Sequence, residues 1–383
     1  MPSMMSRRSV ILAKIEGTEG VDASPVGNTD AVLVENPVPS FNPNFAETNE
    51  VSNSLDGQGP IASGMTMSYS FRVALKGTGT AGVAPEWGKL MKACGIAETL
   101  TATGVPAAPE ALAAGGSAFL AVLGASAVGT AQLYRGMPIV FTGAVPGTSF
   151  ISDYTAAKNA TLTDTLGGSL VATTNYQIPP NVRYQPGSTS IPSLTIYGHH
   201  DGSVFKMVGA RGTVNLTFNT AGVAYAEFNF TGIFAGYADI ANPAATYDLG
   251  RPVPYKNGKF LLDRIERAIS AASFNYGNNV VSSENPNKLE GYDIGEIVSR
   301  NITGQADPLL TPVATQDLIT KFRAGTTMML HGRYGETAGN RLAFTAPKIL
   351  QTNNNIGDRN GKLNVNIPFA ATGPDAGVFL TVW

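Results

Sequence analysis

The first residues that could support chemistry are Gly77 to Gly82, which read Gly-Thr-Gly-Thr-Ala-Gly. They match G-x-G-x-x-G, the fingerprint that holds a dinucleotide pyrophosphate between a strand and a helix, and Glu98 lies near the position of the ribose-binding acid. The preceding segment, however, alternates apolar and polar residues, whereas a central parallel strand would be apolar throughout. The second strand of a βαβ unit is also missing. A turn between strand and helix is the preferred interpretation, and an NAD-linked oxidoreductase is the alternative.

The histidines suggest a metal site only at first sight. His199 and His200 precede Asp201, and His331 is the third histidine of the chain. Adjacent side chains on a strand point to opposite faces, so His199 and His200 cannot readily share one ion. Cys94 is the single cysteine and lies in an apolar helical pattern, which indicates a buried small side chain. We therefore predict no catalytic residue, no metal site and no cofactor.

The composition of the 383-residue chain favours a protein that associates with copies of itself. Hydrophobic residues make up 43%, enough for a substantial core, while charged residues make up 14%, against about 25% in an average globular protein. The net charge of -2 argues against a strongly basic nucleic-acid binder. No segment approaches the roughly 18 apolar residues of a membrane span, and Met1 to Lys14 do not resemble a signal peptide.

The clearest element is the alternating segment 65–76. Met65, Met67, Tyr69, Phe71, Val73 and Leu75 alternate with Thr66, Ser68, Ser70, Arg72, Ala74 and Lys76. Strict period two predicts a strand with one apolar and one polar face. A helix is predicted over Pro85–Gly95, with Trp87, Leu90, Met91 and Cys94 on one face. Four short strands follow over 193–231, with Asp201-Gly202 as a hairpin turn.

The C-terminal third repeats this order of elements. A polar loop at 274–293 is followed by a strand at 294–304, a helix at 312–324, and strands at 327–334, 341–345 and 348–352, with a turn at Asn360-Gly361 before the last core strand. We predict a mainly β fold with minor α: two β-barrel or sandwich units, each with a flanking helix, plus an inserted small β domain. The expected divisions are 1–99 with 189–250 for the first barrel (arm 1–40, long loop 41–64), 100–188 for the insert and 251–383 for the second barrel.

Three segments resemble the tail tube proteins of long-tailed, siphovirus-like bacteriophages. They are ILAKIEGTEGV from Ile11, FRVALKGTGTAGVAPEWGKLMKACG from Phe71, and GARGTVNLTF from Gly209 closing on FNFTG from Phe228. The resemblance implies a structural, non-enzymatic virion subunit, assembled in the host cytoplasm into rings that stack around a lumen through which DNA is ejected. It also implies tape measure and tail-tip or terminator proteins as partners. The Gly-rich segment would then be a turn before a helix that packs on the barrel.

Because one chain carries two barrel-like halves, we expect a trimeric, pseudo-hexameric ring, with a hexamer as the alternative. The insert is expected on the tube exterior, since it would block DNA inside. Alternatives in function are a tail-tip protein, a capsid decoration protein or a secreted adhesin. The candidate lumen-facing residues are Thr66, Ser68, Ser70, Arg72 and Lys76; the candidate inter-ring contacts are Asn44, Glu47, Asn49, Asn53, Asp56, Asn285, Asn287 and Glu290.

Overall fold

The computed structural model describes residues 4–48, 50–51, 53–57, 59–373 and 377–383. The chain is mainly β, with about 50% of it in strands and 3% in helices, as the sequence predicts. Up to residue 186 the elements are β1 Ser9–Ile15, β2 Ala31–Val32, β3 Glu35–Ala46, β4 Ile61–Ala74, α1 Gly88–Ala93, β5 Ile96–Thr101, β6 Val105–Ala111, β7 Leu120–Val122, β8 Pro138–Gly143, β9 Gly147–Tyr154, β10 Asn159–Leu162, β11 Thr174–Ile178 and β12 Asn181–Pro186.

From residue 194 onward the chain contains its two longest strands, of 17 and 15 residues, and several short ones. The elements are β13 Leu194–His200, β14 Ser203–Asn219, β15 Tyr225–Asp239, β16 Lys259–Leu262, β17 Ile265–Glu266, β18 Ala271–Asn275, β19 Asn278–Val281, β20 Glu296–Arg300, β21 Thr303–Ala306, α2 Leu318–Arg323, β22 Met328–Tyr334, β23 Leu342–Gln351, β24 Asn355–Arg359, β25 Lys362–Ala371 and β26 Phe379–Val382. We call β1–β5 with β12–β15 the first half, β6–β11 the insert, and β16–β26 the second half.

The two halves repeat one order of strand pairing. In the first half the neighbours run β2-β1-β13-β14-β15-β4-β3. In the second half they run β17-β16-β22-β23-β25-β21-β18. Every one of these pairs is antiparallel, and each half places its helix after the strand that corresponds to β4. This repetition supports the division into two similar barrel units, which stays a prediction.

The halves are joined by one sheet and one core. The end of β14 pairs with β18, so that Asn215 lies opposite Asn275 and Asn219 opposite Ala271. Behind this seam the ring of Phe218 lies 4.2 Å, centroid to centroid, from the ring of Phe344. A single cluster of buried apolar side chains runs through both halves. Burial of this surface is the main favourable contribution to folding of such a β protein.

The predicted loops 41–64 and 274–293 are wrong in extent, because each contains the strands of a long hairpin. β3 pairs with β4 from Glu35 to Ala46, leaving 47–60 as the tip. β18 and β19 pair with β20 and β21 around the tip 282–295, which has the same length. The prolines Pro37, Pro39 and Pro43 concealed β3 from sequence reading. They stand an even number of residues apart, so their nitrogens share one side, which an edge strand tolerates when that side faces away from its partner.

Other boundaries also differ from the predictions. The two strands expected over 204–219 are one strand, β14, and those expected over 341–352 are one strand, β23. Both helices have six residues, shorter than predicted, and α2 begins after Asp317, whose side chain accepts a hydrogen bond from the Thr320 amide. The turns at Asp201-Gly202 and Asn360-Gly361 are confirmed, because all four residues have positive φ between paired strands.

The insert forms a six-stranded sheet in the order β6-β11-β8-β9-β10-β7 around its own apolar cluster. β5 and β12 lead into and out of it and pair with each other, and β12 also pairs with β26 in the large sheet. Asn181–Pro186, expected within the insert, therefore belong to the large sheet.

A buried charge cluster fixes the insert to the second half. The Asp164 carboxylate lies 2.8 Å from Lys259 Nζ and 3.3 Å from Arg333 Nη2. Burial alone would raise the pKa of Asp164, but the positive charge of Arg333 and the hydrogen bond from Lys259 lower it. Beside this cluster the Phe150 ring packs on His331 and Trp383.

Candidate assembly surface

The alternation in segment 65–76 produces a two-faced strand. Met67, Tyr69, Phe71 and Val73 are buried in the common core. Thr66, Ser68, Ser70 and Arg72 lie on the opposite face and are partly or fully exposed. At Ser68 the hydroxyl accepts a hydrogen bond of 3.0 Å from the Asn42 side chain on β3. The polar face therefore continues onto the neighbouring strand.

Strand register extends this polar face across the seam between the halves. Opposite residues of antiparallel strands project to the same side of a sheet. From Arg72 the row runs through Glu227, Asn215 and Asn275 to Thr303. Neighbouring rows and β25 add side chains of the same kind: Ser70, Asn229, Thr213, Tyr225, Thr217, Ser273, Gln305, Asn364 and Asn366. The result is a broad surface made mainly of amide and hydroxyl groups, which we call the polar sheet face.

The charge of Arg72 on the polar sheet face is neutralised locally. Arg72 Nη2 lies 2.6 Å from the Glu35 carboxylate, and its guanidinium carbon lies 4.4 Å from the centre of the Tyr225 ring. The hydrogen bond from Arg72 to Glu35 raises the pKa of Arg72. Arg72 is therefore occupied on two sides, by the Glu35 carboxylate and by the Tyr225 ring.

Lys76 does not belong to this surface, which corrects the sequence prediction. Its side chain is 3% exposed, and Nζ approaches the Asp248 carbonyl and lies 3.5 Å from the Glu86 carboxylate. The alternation ends because β4 ends at Ala74 and the chain turns into the core. Trp87 fixes the turn by donating from Nε1 to the Lys76 carbonyl at 2.9 Å.

The first hairpin tip holds several predicted contact residues. Glu47, Asn53 and Asp56 are exposed there. Asn44 lies in β3 opposite Gly64, where it is exposed, and Asn49 lies outside the described residues.

In the second tip, two of the predicted contact residues already form hydrogen bonds within the chain. The side-chain amide of Asn285 donates to the Asp293 carboxylate at 2.9 Å, and Glu290 Oε2 accepts from the backbone amide of Met65 at 3.0 Å. Asn287 is exposed. The Glu290 bond holds the second tip against the base of the first, so the two hairpins stand side by side.

Sequence reasoning missed the apolar residues at the tips. Val51, Leu55 and Leu289 are at least 99% exposed, and Phe45 is 52% exposed near the end of β3. Large apolar residues within Asn- and Ser-rich segments are visible in the sequence and could have indicated this exposed surface. Clusters of exposed apolar groups rimmed by polar residues are typical of interaction surfaces.

The Gly-rich segment packs against the second half. Gly77 N donates to the Asn340 side chain at 2.8 Å, and Gly79 N donates to the Gly339 carbonyl at 3.1 Å. A Cβ at Gly77 would meet the Gly339 oxygen at 1.9 Å, so glycine is required for this close approach. The strand before it pairs antiparallel on both sides, unlike the parallel strand that precedes a dinucleotide motif.

The histidines are separated by the sheet. His200 contacts the Tyr69 hydroxyl and the Ser9 hydroxyl, whereas His331 is buried beside Thr345 in the second half. Within the described ranges, no group of three His, Cys, Asp or Glu side chains could hold a metal ion. None of the helices in the described part of the chain is long and apolar enough to cross a membrane.

A repeated antiparallel fold, a broad polar face with few charges and exposed apolar hairpin tips are typical of a structural protein that associates with other chains. The family model for the phage tail tube protein matches residues 6–371, nearly the whole chain. The chain belongs to this family and is a structural component of the phage tail. No curated protein matches it.

Proposed function

We propose that this protein forms rings that stack into the tube of a phage tail, and that DNA passes through the lumen during ejection. The rings would assemble in the host cytoplasm, on an initiating tail-tip complex and around a tape measure protein, and end at a terminator protein. Membership of the tail tube family supports a self-assembling tube subunit. The ring arrangement and the DNA path rest on the following features.

The polar sheet face carries the proposal, because its composition suits a conduit for DNA. Proteins grip DNA mainly by neutralising phosphates with Lys and Arg. Thr66, Ser68 and Ser70 are neutral, and Arg72 is paired with Glu35. A lumen lined by this face would let the phosphate backbone slide past without strong binding.

The two halves support a ring of three chains with six similar wall segments. Each half supplies the same order of paired strands, and the seam between β14 and β18 already joins two segments side by side. A heterologous contact that is repeated between copies of one chain closes into a ring when its rotation completes a circle around an axis. A ring of six chains would instead contain twelve segments.

The hairpin tips are the proposed contacts between successive rings. Their polar members are Asn44, Glu47, Asn49, Asn53, Asp56, Asn285, Asn287 and Glu290, together with the exposed Leu55 and Leu289. Polar segments that order on contact lose conformational entropy at that step, which would hold assembly back until an initiating complex is present.

The insert is proposed to lie on the outside of the tube. Arg333 on β22 donates to the Thr148 carbonyl at 2.5 Å, and Thr381 on β26 donates to the Gly136 carbonyl at 2.8 Å. These strands are not among those that carry the polar sheet face, so the insert leaves that face free.

Electron microscopy with native mass spectrometry tests the proposal. Purified protein, or protein incubated with an initiating complex, should give hollow tubes, and dissociated rings should have the mass of three 39.9 kDa chains. Density should show the insert as three outward projections per ring. A protein that forms neither rings nor tubes under any condition would contradict the function, whereas rings of six chains would contradict the trimer alone.

A further inference from the structure

We infer that the seam between the two halves is repeated between chains: β24 of one chain lies antiparallel to β3 of a second copy, with Asn355 opposite Ser40 and Gly357 opposite Val38. This inference rests on the proposed ring assembly and names the strands and register that join its subunits.

The seam within the chain supplies the register. There the end of β14 is bordered by β15 on one side and by β18 on the other. Asn215 lies opposite Asn275, and Thr217 lies opposite Ser273. The end of β14 is therefore the strand of the first half that borders the seam, and β18 is the strand of the second half that borders it.

β24 is the second-half counterpart of the end of β14. Both strands lead into the hairpin turn that begins the next long strand, β15 in one half and β25 in the other. On that next strand the buried Ala226 lies opposite Leu216, and the buried Val365 lies opposite Ile356. Matching these pairs places Ile356 at the position of Leu216, and Gly357 at the position of Thr217.

β3 is the first-half counterpart of β18. β3 borders β4 as β18 borders β21, and β4 borders β15 as β21 borders β25. Val38 lies opposite Ser70, and Ser273 lies opposite Gln305. Carried through these registers, Val38 matches Ser273 and Ser40 matches Asn275, which sets the proposed pairing.

Exposure shows which edges still lack a neighbour. Leu216 is fully buried at the seam, whereas its counterpart Ile356 is 56% exposed. On the other proposed edge, Phe41 lies opposite the buried Met67 and is 39% exposed. In the described structure β24 pairs with β25 and β3 pairs with β4, so each leaves one edge open. A second copy whose β3 lies beside β24 would cover Ile356, as β18 covers Leu216 at the seam.

The prolines of β3 determine which hydrogen-bonding groups its open edge offers. In β18 the Tyr276 amide donates across the seam to the Val214 carbonyl at 3.0 Å, so alternate amides of β18 face β14. The matching positions in β3 include Pro37 and Pro39, which have no N–H to donate. The open edge of β3 therefore offers carbonyls but few donors, and β24 can supply the amides of Ile356 and Asp358. Two β3 edges cannot pair well with each other, which disfavours contact between like edges.

The helices point to the same second copy. At the end of α1, the Asn278 side chain of the second hairpin donates to the Cys94 carbonyl at 2.7 Å, and Arg300 donates to the Gly95 carbonyl at 2.8 Å. Four residues of α1 are buried, whereas in α2 only Leu318 is buried and Ile319 is 50% exposed. The β3–β4 hairpin of the second copy would cover α2 as the second hairpin covers α1.

Cysteine cross-linking tests the register. Ser40→Cys and Asn355→Cys variants, each with the native buried Cys94, are purified, mixed and assembled, and then oxidised with copper phenanthroline. We expect a cross-linked dimer from the mixture and none from either variant alone. The double variant should give cross-linked trimers. Asn215→Cys with Asn275→Cys is the matched control, because it places the same pair at the seam within one chain.

The outcomes separate the register from the proposed function. Rings or tubes that form without the Ser40–Asn355 cross-link, while the intrachain control oxidises, would overturn the inference and leave the tube function intact. A cross-link that is equally strong between Ser40→Cys and Gly357→Cys, which is two residues out of register, would also overturn it. If the variants fail to assemble, the electron-microscopy density of wild-type rings provides the test. A ring in which β24 does not border β3 of the next chain overturns the inference. A wild-type protein that stays monomeric contradicts both proposals.

Discussion

The guanidinium of Arg72 is held between the carboxylate of Glu35, 2.6 Å away, and the ring of Tyr225, 4.4 Å from its centre. This arrangement ties β3 to β4 and places the charge of Arg72 where Glu35 cancels it. The pair is partly exposed, and such pairs add about 0.2–1 kcal/mol to stability. The larger consequence of this pair is electrostatic, because it weakens the attraction between Arg72 and any polyanion that contacts the polar sheet face.

We expect Glu35→Gln to increase DNA binding by assembled tubes without unfolding the subunit. The substitution frees one cation per chain, and each additional phosphate that the protein neutralises steepens the dependence of log K on log salt by about 0.9. DNA retention measured over a salt series would show this change. Asp153→Asn on the insert changes the net charge equally and should leave retention unaltered. Equal retention by the Glu35→Gln tubes and the wild type would argue that Arg72 does not face the lumen.

We expect Leu55→Ser with Leu289→Ser to allow rings but reduce stacking. Both side chains are fully exposed at the hairpin tips, and each Leu contributes about 1.5–3 kcal/mol when it is buried against a partner. Sedimentation velocity and negative-stain images would measure the ratio of rings to tubes. A Leu249→Ser variant, also exposed but away from both tips, is the control. Normal tube length in the double variant would contradict the assignment of the tips.

We expect Asp164→Asn to loosen the insert from the second half. Removing one partner of a buried ion pair costs about 3–5 kcal/mol, because the remaining charge stays buried without compensation. The folded-state pKa of Asp164 is lowered, so its stabilisation is present above the unfolded carboxyl pKa and is lost as the pH falls through the folded value. Urea unfolding should therefore separate wild type and variant at pH 7 but bring them together in strong acid. A difference in unfolding free energy between wild type and variant that is the same at both pH values would contradict this role of Asp164.

We expect His331→Gln to flatten the pH dependence of stability between pH 6.5 and 4. Burial lowers the pKa of His331 to about 3. The unfolded chain, with an ordinary pKa near 6.5, takes up the proton first, so stability is complete above pH 6.5 and falls by about 1.4 kcal/mol per pH unit below it. Denaturation at half-unit pH steps would measure the slope in both proteins. An unchanged slope in the variant would show that His331 is not the group responsible.

The parts of the fold that the sequence predicts are those with local causes. The strand containing Met67 to Val73 follows from alternation alone, and Asn360-Gly361 follows from the turn conformation that these residues favour. By contrast, β3 contains Pro37, Pro39 and Pro43, and only its position at a sheet edge makes them acceptable.

The candidate surface was harder to predict from the sequence, because it depends on contacts between distant segments. Lys76 continues the alternation but is buried, because Glu86 and Asp248 arrive from distant segments to pair with it. The extension of the polar face to Asn275 and Thr303 depends on strand register across the seam, which the alternation within one strand does not specify.

The covalent link between the halves has a consequence for the kinetics of ring closure. The seam of β14 with β18 forms within one chain, at a rate that does not depend on subunit concentration. A ring of three such chains needs three junctions between chains, whereas six separate single-barrel chains would need six. Ring formation would then fall off less steeply on dilution, and the two kinds of wall segment could diverge in sequence while staying in equal number.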